Sequence, residues 1–172
     1  MEGIELKKPE APMEGSPEYY MERALELARE AGSKGEVPVG AVIVRDGKII
    51  AEGSNSPEGD KDPTAHAEIK AIRQAAKVLG GWRLIGCDMY VTLEPCSMCA
   101  GAIVLSRIER LYIGTMDPKA GACGSLRNIP GDERLNHRPE IEYGLLQPQC
   151  EAILKDFFRR LRSRNKINKS EE

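Results

Sequence analysis

Two short segments restrict the folds open to this chain more than any other feature: His66-Ala67-Glu68, and Pro95-Cys96-Ser97-Met98-Cys99, which starts its Cys pair thirty residues after His66. Together they supply an imidazole, two thiols and a carboxylate, the donor set of a tetrahedral zinc site with a separate acid/base group. A fold that uses them as one site must set two distant helix starts side by side. Cys96 and Cys99 stand three apart at a helix start, so their sulfurs share a face and can hold one ion. The positive end of the helix dipole lowers both thiol pKa values and favours the metal-binding thiolate. Two thiolates and one neutral imidazole leave a fourth position open for a water, whose pKa zinc draws from ~15.7 toward ~7. The spacing therefore predicts a catalytic centre with one Zn²⁺ per subunit, ligated by His66, Cys96 and Cys99, with Glu68 moving protons. A structural site would recruit a fourth ligand, but Cys87, Cys123 and Cys150 have no matching spacing and read as buried, unreactive thiols.

Around this pair the chain reads as one α/β domain over residues 16–164, between a mobile tail (1–15) and a polar C-terminal tail (165–172). Ser16-Pro17-Glu18 is an N-cap, a first-turn proline and an acidic first turn, opening a helix that closes at Gly32. Val39–Val44 and Ile49–Glu52 flank Asp46-Gly47, a hairpin turn dipeptide. Asn55–Pro63 is polar and rich in turn formers, and Ala65–Leu79 is a helix stopped by Gly80-Gly81. His66 and Glu68 lie two apart, roughly 200° around a regular helix, so they must straddle its N-terminus to share a target. A strand at Met89–Thr92, a helix at Cys96–Ser106 and a strand at Arg110–Gly114 form a βαβ alternation that favours parallel pairing. Asp117–Arg138 is a long segment with much Gly and little periodicity, read as a functional loop or a partly ordered flap. A strand near Ile141–Leu146 then leads into a helix from Gln149 to about Arg164, with Phe157 and Phe158 placed in the core. The sum is a three-layer α/β/α sandwich on a mixed five-stranded sheet, with both metal-bearing helices on one face.

A net charge of -2 over 172 residues gives no global field for nucleic acid, so any such binding needs a local patch. The C-terminal cluster Lys155, Arg159, Arg160, Arg162, Arg164, Lys166 and Lys169 is one. No apolar run approaches the roughly 18 residues of a membrane span. The five cysteines and the lack of a signal-like apolar stretch point to a reduced, cytoplasmic setting.

The His-x-Glu and Pro-Cys-x-x-Cys pair resembles the signature of the zinc-dependent nucleoside and nucleobase deaminases, which share the cytidine deaminase-like fold. EVPVGAVIVRDGKIIAEGSN (36–55), DPTAHAEIKAIRQ (62–74), YVTLEPCSMCAGA (90–102), DPKAGACGSL (117–126), NHRPEI (136–141) and DFFRRLR (156–162) are similar to the branch acting on adenosine in tRNA. The resemblance implies hydrolysis of adenosine to inosine at wobble position 34 of an arginine tRNA anticodon, by a homodimer gripping the anticodon arm. It implies substrate contacts from Val37, Pro38, Asn55 and Ala67 at the base, from Asp117 and Lys119 at flanking nucleotides, and from Arg159 or Arg162 along the RNA. By residue type alone, Asn55 is an ordinary turn asparagine and Val37-Pro38 merely a strand entry. Deamination of a free base such as guanine or cytosine is the alternative, because the two metal motifs by themselves do not choose a substrate.

Overall fold

The computed structural model describes residues 10–170. Residues 1–9 of the expected tail, and 171–172 at the other end, lie outside the described residues.

The elements run α1 (Pro17–Ser33), β1 (Gly40–Arg45), β2 (Lys48–Ser54), α2 (Pro57–Asp60), α3 (Ala67–Leu79), β3 (Cys87–Leu93), α4 (Ser97–Leu105), β4 (Arg110–Thr115), β5 (Glu140–Tyr143) and α5 (Gln147–Ser170). Local chemistry explains most boundaries. Ser16 caps α1 by accepting from the Tyr19 N–H at 3.2 Å, as a first-turn hydroxyl should. Asp46 and Gly47 both take positive φ, 51° and 73°, the geometry of a twist-compatible hairpin turn. Gly80 closes α3 in the left-handed region.

The sheet order is β2-β1-β3-β4-β5. β1 pairs antiparallel with β2 and β3, while β3, β4 and β5 run parallel. Side chains alternate along each central strand, and both faces are covered. Ala41, Ile43, Met89, Val91, Leu111 and Ile113 meet α3 and α4 on one face. Val42, Val44, Tyr90 and Tyr112 meet α1 and α5 on the other, where the Tyr90 and Tyr112 rings stack at 4.3 Å. The expected three-layer sandwich and mixed five-stranded sheet are therefore present, with α3 and α4 on the same side.

Four local expectations need correction. α3 begins at Ala67, because His66 is extended at φ -79°, ψ 151° and serves as the N-cap. The turn-rich stretch after Asn55 contains the single-turn α2. β5 stops at Tyr143, where Gly144 turns at φ 83°. The last helix continues through Ser170, since nothing between Arg164 and Lys169 stops a helix. Phe158 also lies outside the core: it is 39 % exposed and packs edge to face on Phe157 at 5.4 Å, with Phe157 itself only half-buried.

Candidate metal centre and its surroundings

Two helix starts make the centre. His66 is the N-cap of α3 and Cys96 the N-cap of α4, and both are extended, with no cap hydrogen bond from the side chain. An N-cap side chain ordinarily turns back on the first-turn N–H groups; here both project past the helix end toward each other. Cys99 follows in the first turn of α4. His66 Nδ1 lies 3.6 Å from Cys96 Sγ and 3.5 Å from Cys99 Sγ, and the three donor atoms all fall within 4.8 Å of one another. Zn–S bonds of about 2.3 Å and a Zn–N bond of about 2.0–2.1 Å at tetrahedral angles imply S···N edges of about 3.5–3.6 Å. The observed edges match, so the residues fit the ion. Among the described residues the metal-competent cluster contains these three alone, which supplies three ligands and no fourth.

Electrostatics split the two thiols, which the helix dipole was expected to lower together: Cys96 is lowered and Cys99 raised. Cys99 hydrogen-bonds to Cys96 and holds the Cys96 thiol well below the ordinary range, with His66 adding to the effect. The same contact, with burial, pushes Cys99 up. A divalent ion bound by both sulfurs would displace their protons. Glu68, 4 % exposed, sits one residue inside α3, and burial pushes its carboxyl up to about 7. A carboxyl poised near neutrality can both give and accept a proton. His66 and Glu68 straddle the helix start, with one side chain outside it and the other inside. Cys123 and Cys150 are buried thiols pushed up to about 12 by desolvation, and Cys87 is raised for the same reason, which suits inert core residues.

Of the residues expected at the substrate, Ala67 adjoins His66 and the others lie on separate elements. Asn55 leaves β2 and is fixed by its N–H to the Val39 carbonyl at 3.1 Å, while Ser56 bonds to Ala65, next to His66. The Asn55 side-chain amide makes no hydrogen bond among the described residues. Val37 packs on the core beneath α3 and α4. Pro38 instead lines a groove of about 450 Å³ between α1 and α5, together with Arg29, Ile153, Phe157, Arg160 and Arg164. Ala67 is fully buried at the start of α3. The Asp117 carboxylate caps its own turn, accepting from the N–H groups of Lys119 and Ala120, and Lys119 is exposed. Arg159 pairs with Asp156, and Arg162 is exposed.

Sequence reading missed two buried carboxylates, Glu36 under α2 and Glu94 two residues before Cys96, 5 % and 2 % exposed. Glu36 accepts from the Gly59 N–H at 2.7 Å and so anchors α2. Each stands just ahead of a proline-marked segment, Val37-Pro38 or Pro95-Cys96, and an acidic residue in such an apolar setting was the available signal.

Residues 16–162 match the family described as MafB19-like deaminase. The chain is 50% identical over 149 residues to the tRNA-specific adenosine deaminase of Bacillus subtilis, covering 87% of this chain and 92% of that one. The chain belongs to the deaminase family, among the tRNA-specific adenosine deaminases. A solved structure from work on A-to-I editing by tRNA:A34 deaminases at the wobble position of transfer RNA superposes on this deaminase with TM-score 0.77 at 48% identity, covering 79% of this chain and 99% of that one. A guanine deaminase structure from Bacillus subtilis matches less of it, 58% of this chain and 64% of that one, with TM-score 0.56 at 48% identity.

Proposed function

We propose that this protein hydrolyses the exocyclic amine of adenosine 34 in the anticodon arm of an arginine tRNA, yielding inosine and ammonia. The observation that carries the reading is the near-full-length likeness to a tRNA-specific adenosine deaminase, joined to a His66–Cys96–Cys99 cluster whose edges fit zinc.

His66, Cys96 and Cys99 would hold Zn²⁺, which when bound activates water as the nucleophile. Glu68 does the proton work: its buried carboxyl takes the proton that water loses, delivers one to N1 of the purine, and gives one to the departing amine. The C6–N bond breaks, ammonia leaves, and the water oxygen remains as the C6 carbonyl. Asn55, whose amide can donate and accept at once, reads the purine edge beside Val37 and Ala67, while Pro38, in the α1–α5 groove, is left out of the base pocket. Asp117 and Lys119 meet the flanking ribose and phosphate, and Arg159 and Arg162 extend the contact along the RNA.

The working unit is a homodimer with one zinc per subunit. Apart from Ser97 at its start, α4 is apolar all round, including its outer face, where Leu105 is 67% and Met98 37% exposed. A helix apolar all round asks for burial, and a second copy supplies it. No described helix is long and apolar enough to cross a membrane, and all five thiols are free, which supports a cytoplasmic setting.

The test is incubation of zinc-loaded protein with an arginine tRNA anticodon arm bearing adenosine 34, read as A-to-G change on sequencing. Conversion at that position is the expected result. No conversion, or ammonia release from free guanine or cytosine in its place, would overturn it.

A further inference from the structure

Glu94 follows β3 and precedes Pro95-Cys96, so its backbone abuts the first thiol ligand, yet it contributes nothing to the metal cluster. Its side chain is buried, and a buried carboxylate persists only where its oxygens are satisfied. One segment supplies the partners. The Asp117 N–H donates to Oε1 at 2.9 Å, the N–H groups of Cys123 and Ser125 donate to Oε2 at 3.0 Å each, and the Ser125 hydroxyl donates to Oε1. Gly121 packs so closely that a Cβ there would stand 2.2 Å from the Glu94 carboxyl carbon. The same segment crosses the ligand-bearing backbone, through the Ala122 N–H to the Pro95 carbonyl at 2.8 Å and a bridge between Cys96 and Gly121.

We propose that Glu94 is a positioning residue for substrate: by gathering these four hydrogen bonds it holds the 117–125 segment, and with it Asp117 and Lys119, beside the metal ligands. The proposal rests on the reading above that this segment meets RNA. It follows from the connectivity. The segment has no helix or strand of its own between β4 and β5, so beside a few backbone bonds such as that of Ala122 to Pro95 its shape rests on the side chain around which its N–H groups converge. Removing the carboxylate leaves three inward-facing N–H groups without their charged acceptor.

The experiment compares wild type with Glu94→Gln, which keeps the size but presents an amide N–H₂ to backbone donors. Steady-state deamination of anticodon-arm RNA, zinc content and amide hydrogen exchange are measured together. The expected result is a KM raised about tenfold or more with kcat changed less than about threefold, zinc retained, and exchange at Asp117, Cys123 and Ser125 accelerated at least about tenfold while β1 and β3 stay protected. Unchanged KM, a fall in kcat alone, or unchanged exchange would overturn the proposal. If Glu94→Gln does not fold, Ser125→Ala decides, since it removes one of the four bonds and must shift KM and exchange in the same direction. Should wild-type protein leave the RNA unedited, the proposed function falls, and the exchange arm alone judges whether Glu94 holds the segment.

Discussion

Nδ1 of His66 lies 3.5 Å from Sγ of Cys99, across 33 residues of chain. That distance is created by two helices that begin at the same end of one sheet face, so the metal centre is only as good as the α3–α4 register. Cys99→Ser or His66→Ala is expected to drop zinc, measured by elemental analysis, from near one to below about 0.1 per chain and to abolish deamination. A chelator does the same to wild type, and added Zn²⁺ restores it.

Glu68 sits beside the ligands without belonging to their cluster, so its removal separates chemistry from metal binding. Glu68→Gln keeps zinc while kcat for the anticodon arm falls by about 10²–10⁴. Loss of zinc in that variant would instead make Glu68 a support of the ligand set.

The hairpin lets helices onto both sheet faces only because it carries glycine at two contact points. A Cβ at Gly53 would stand 2.0 Å from the Ala67 carbonyl oxygen, and one at Gly40 1.9 Å from that of Ala24. Neither contact can give without moving helix backbone. Gly53→Ala and Gly40→Ala should each cost at least about 3 kcal/mol in denaturant unfolding. Gly53→Ala should also lower zinc affinity, because the displaced Ala67 adjoins His66, whereas Gly40→Ala disturbs the α1 face and spares the metal.

Arg23 on α1 grips Glu52 on β2 through Nε–Oε1 at 2.7 Å and Nη2–Oε2 at 2.9 Å. This bidentate bond lowers the Glu52 carboxyl from its ordinary 4.5. A depressed folded-state value means that the stabilisation is complete above the unfolded value and is lost as pH falls through the folded one. Both side chains are about a third exposed, so solvent screening leaves about 0.5–1 kcal/mol. Glu52→Gln should lose that amount at pH 7 and nothing below the folded value, as read from unfolding midpoints across pH.

Leu105 stands on the outer face of α4, 67% exposed. Leu105→Glu is expected to convert a dimer to a monomer in sedimentation. An unchanged sedimentation coefficient would move the interface elsewhere.

The sequence alone specified whatever depends on neighbours a few residues apart. Ser16-Pro17-Glu18 starts α1, Asp46-Gly47 turns the hairpin, Gly80 stops α3, and Cys96-x-x-Cys99 lays two sulfurs on one helix turn, all through short-range sterics and capping bonds. With His66 beside them, those residues were enough to anticipate a three-donor cluster that fits a metal. Contacts between remote segments were decided only by the folded chain. His66 is a cap and not a helical residue, its ring turned to the α4 thiols, and Phe158 lies 39 % exposed on α5 rather than in the core. The role of Glu94 was illegible for the same reason. A carboxylate in a strand-to-helix connection says nothing of the three backbone N–H groups, 23 to 31 residues away, that converge on it once the sheet has formed.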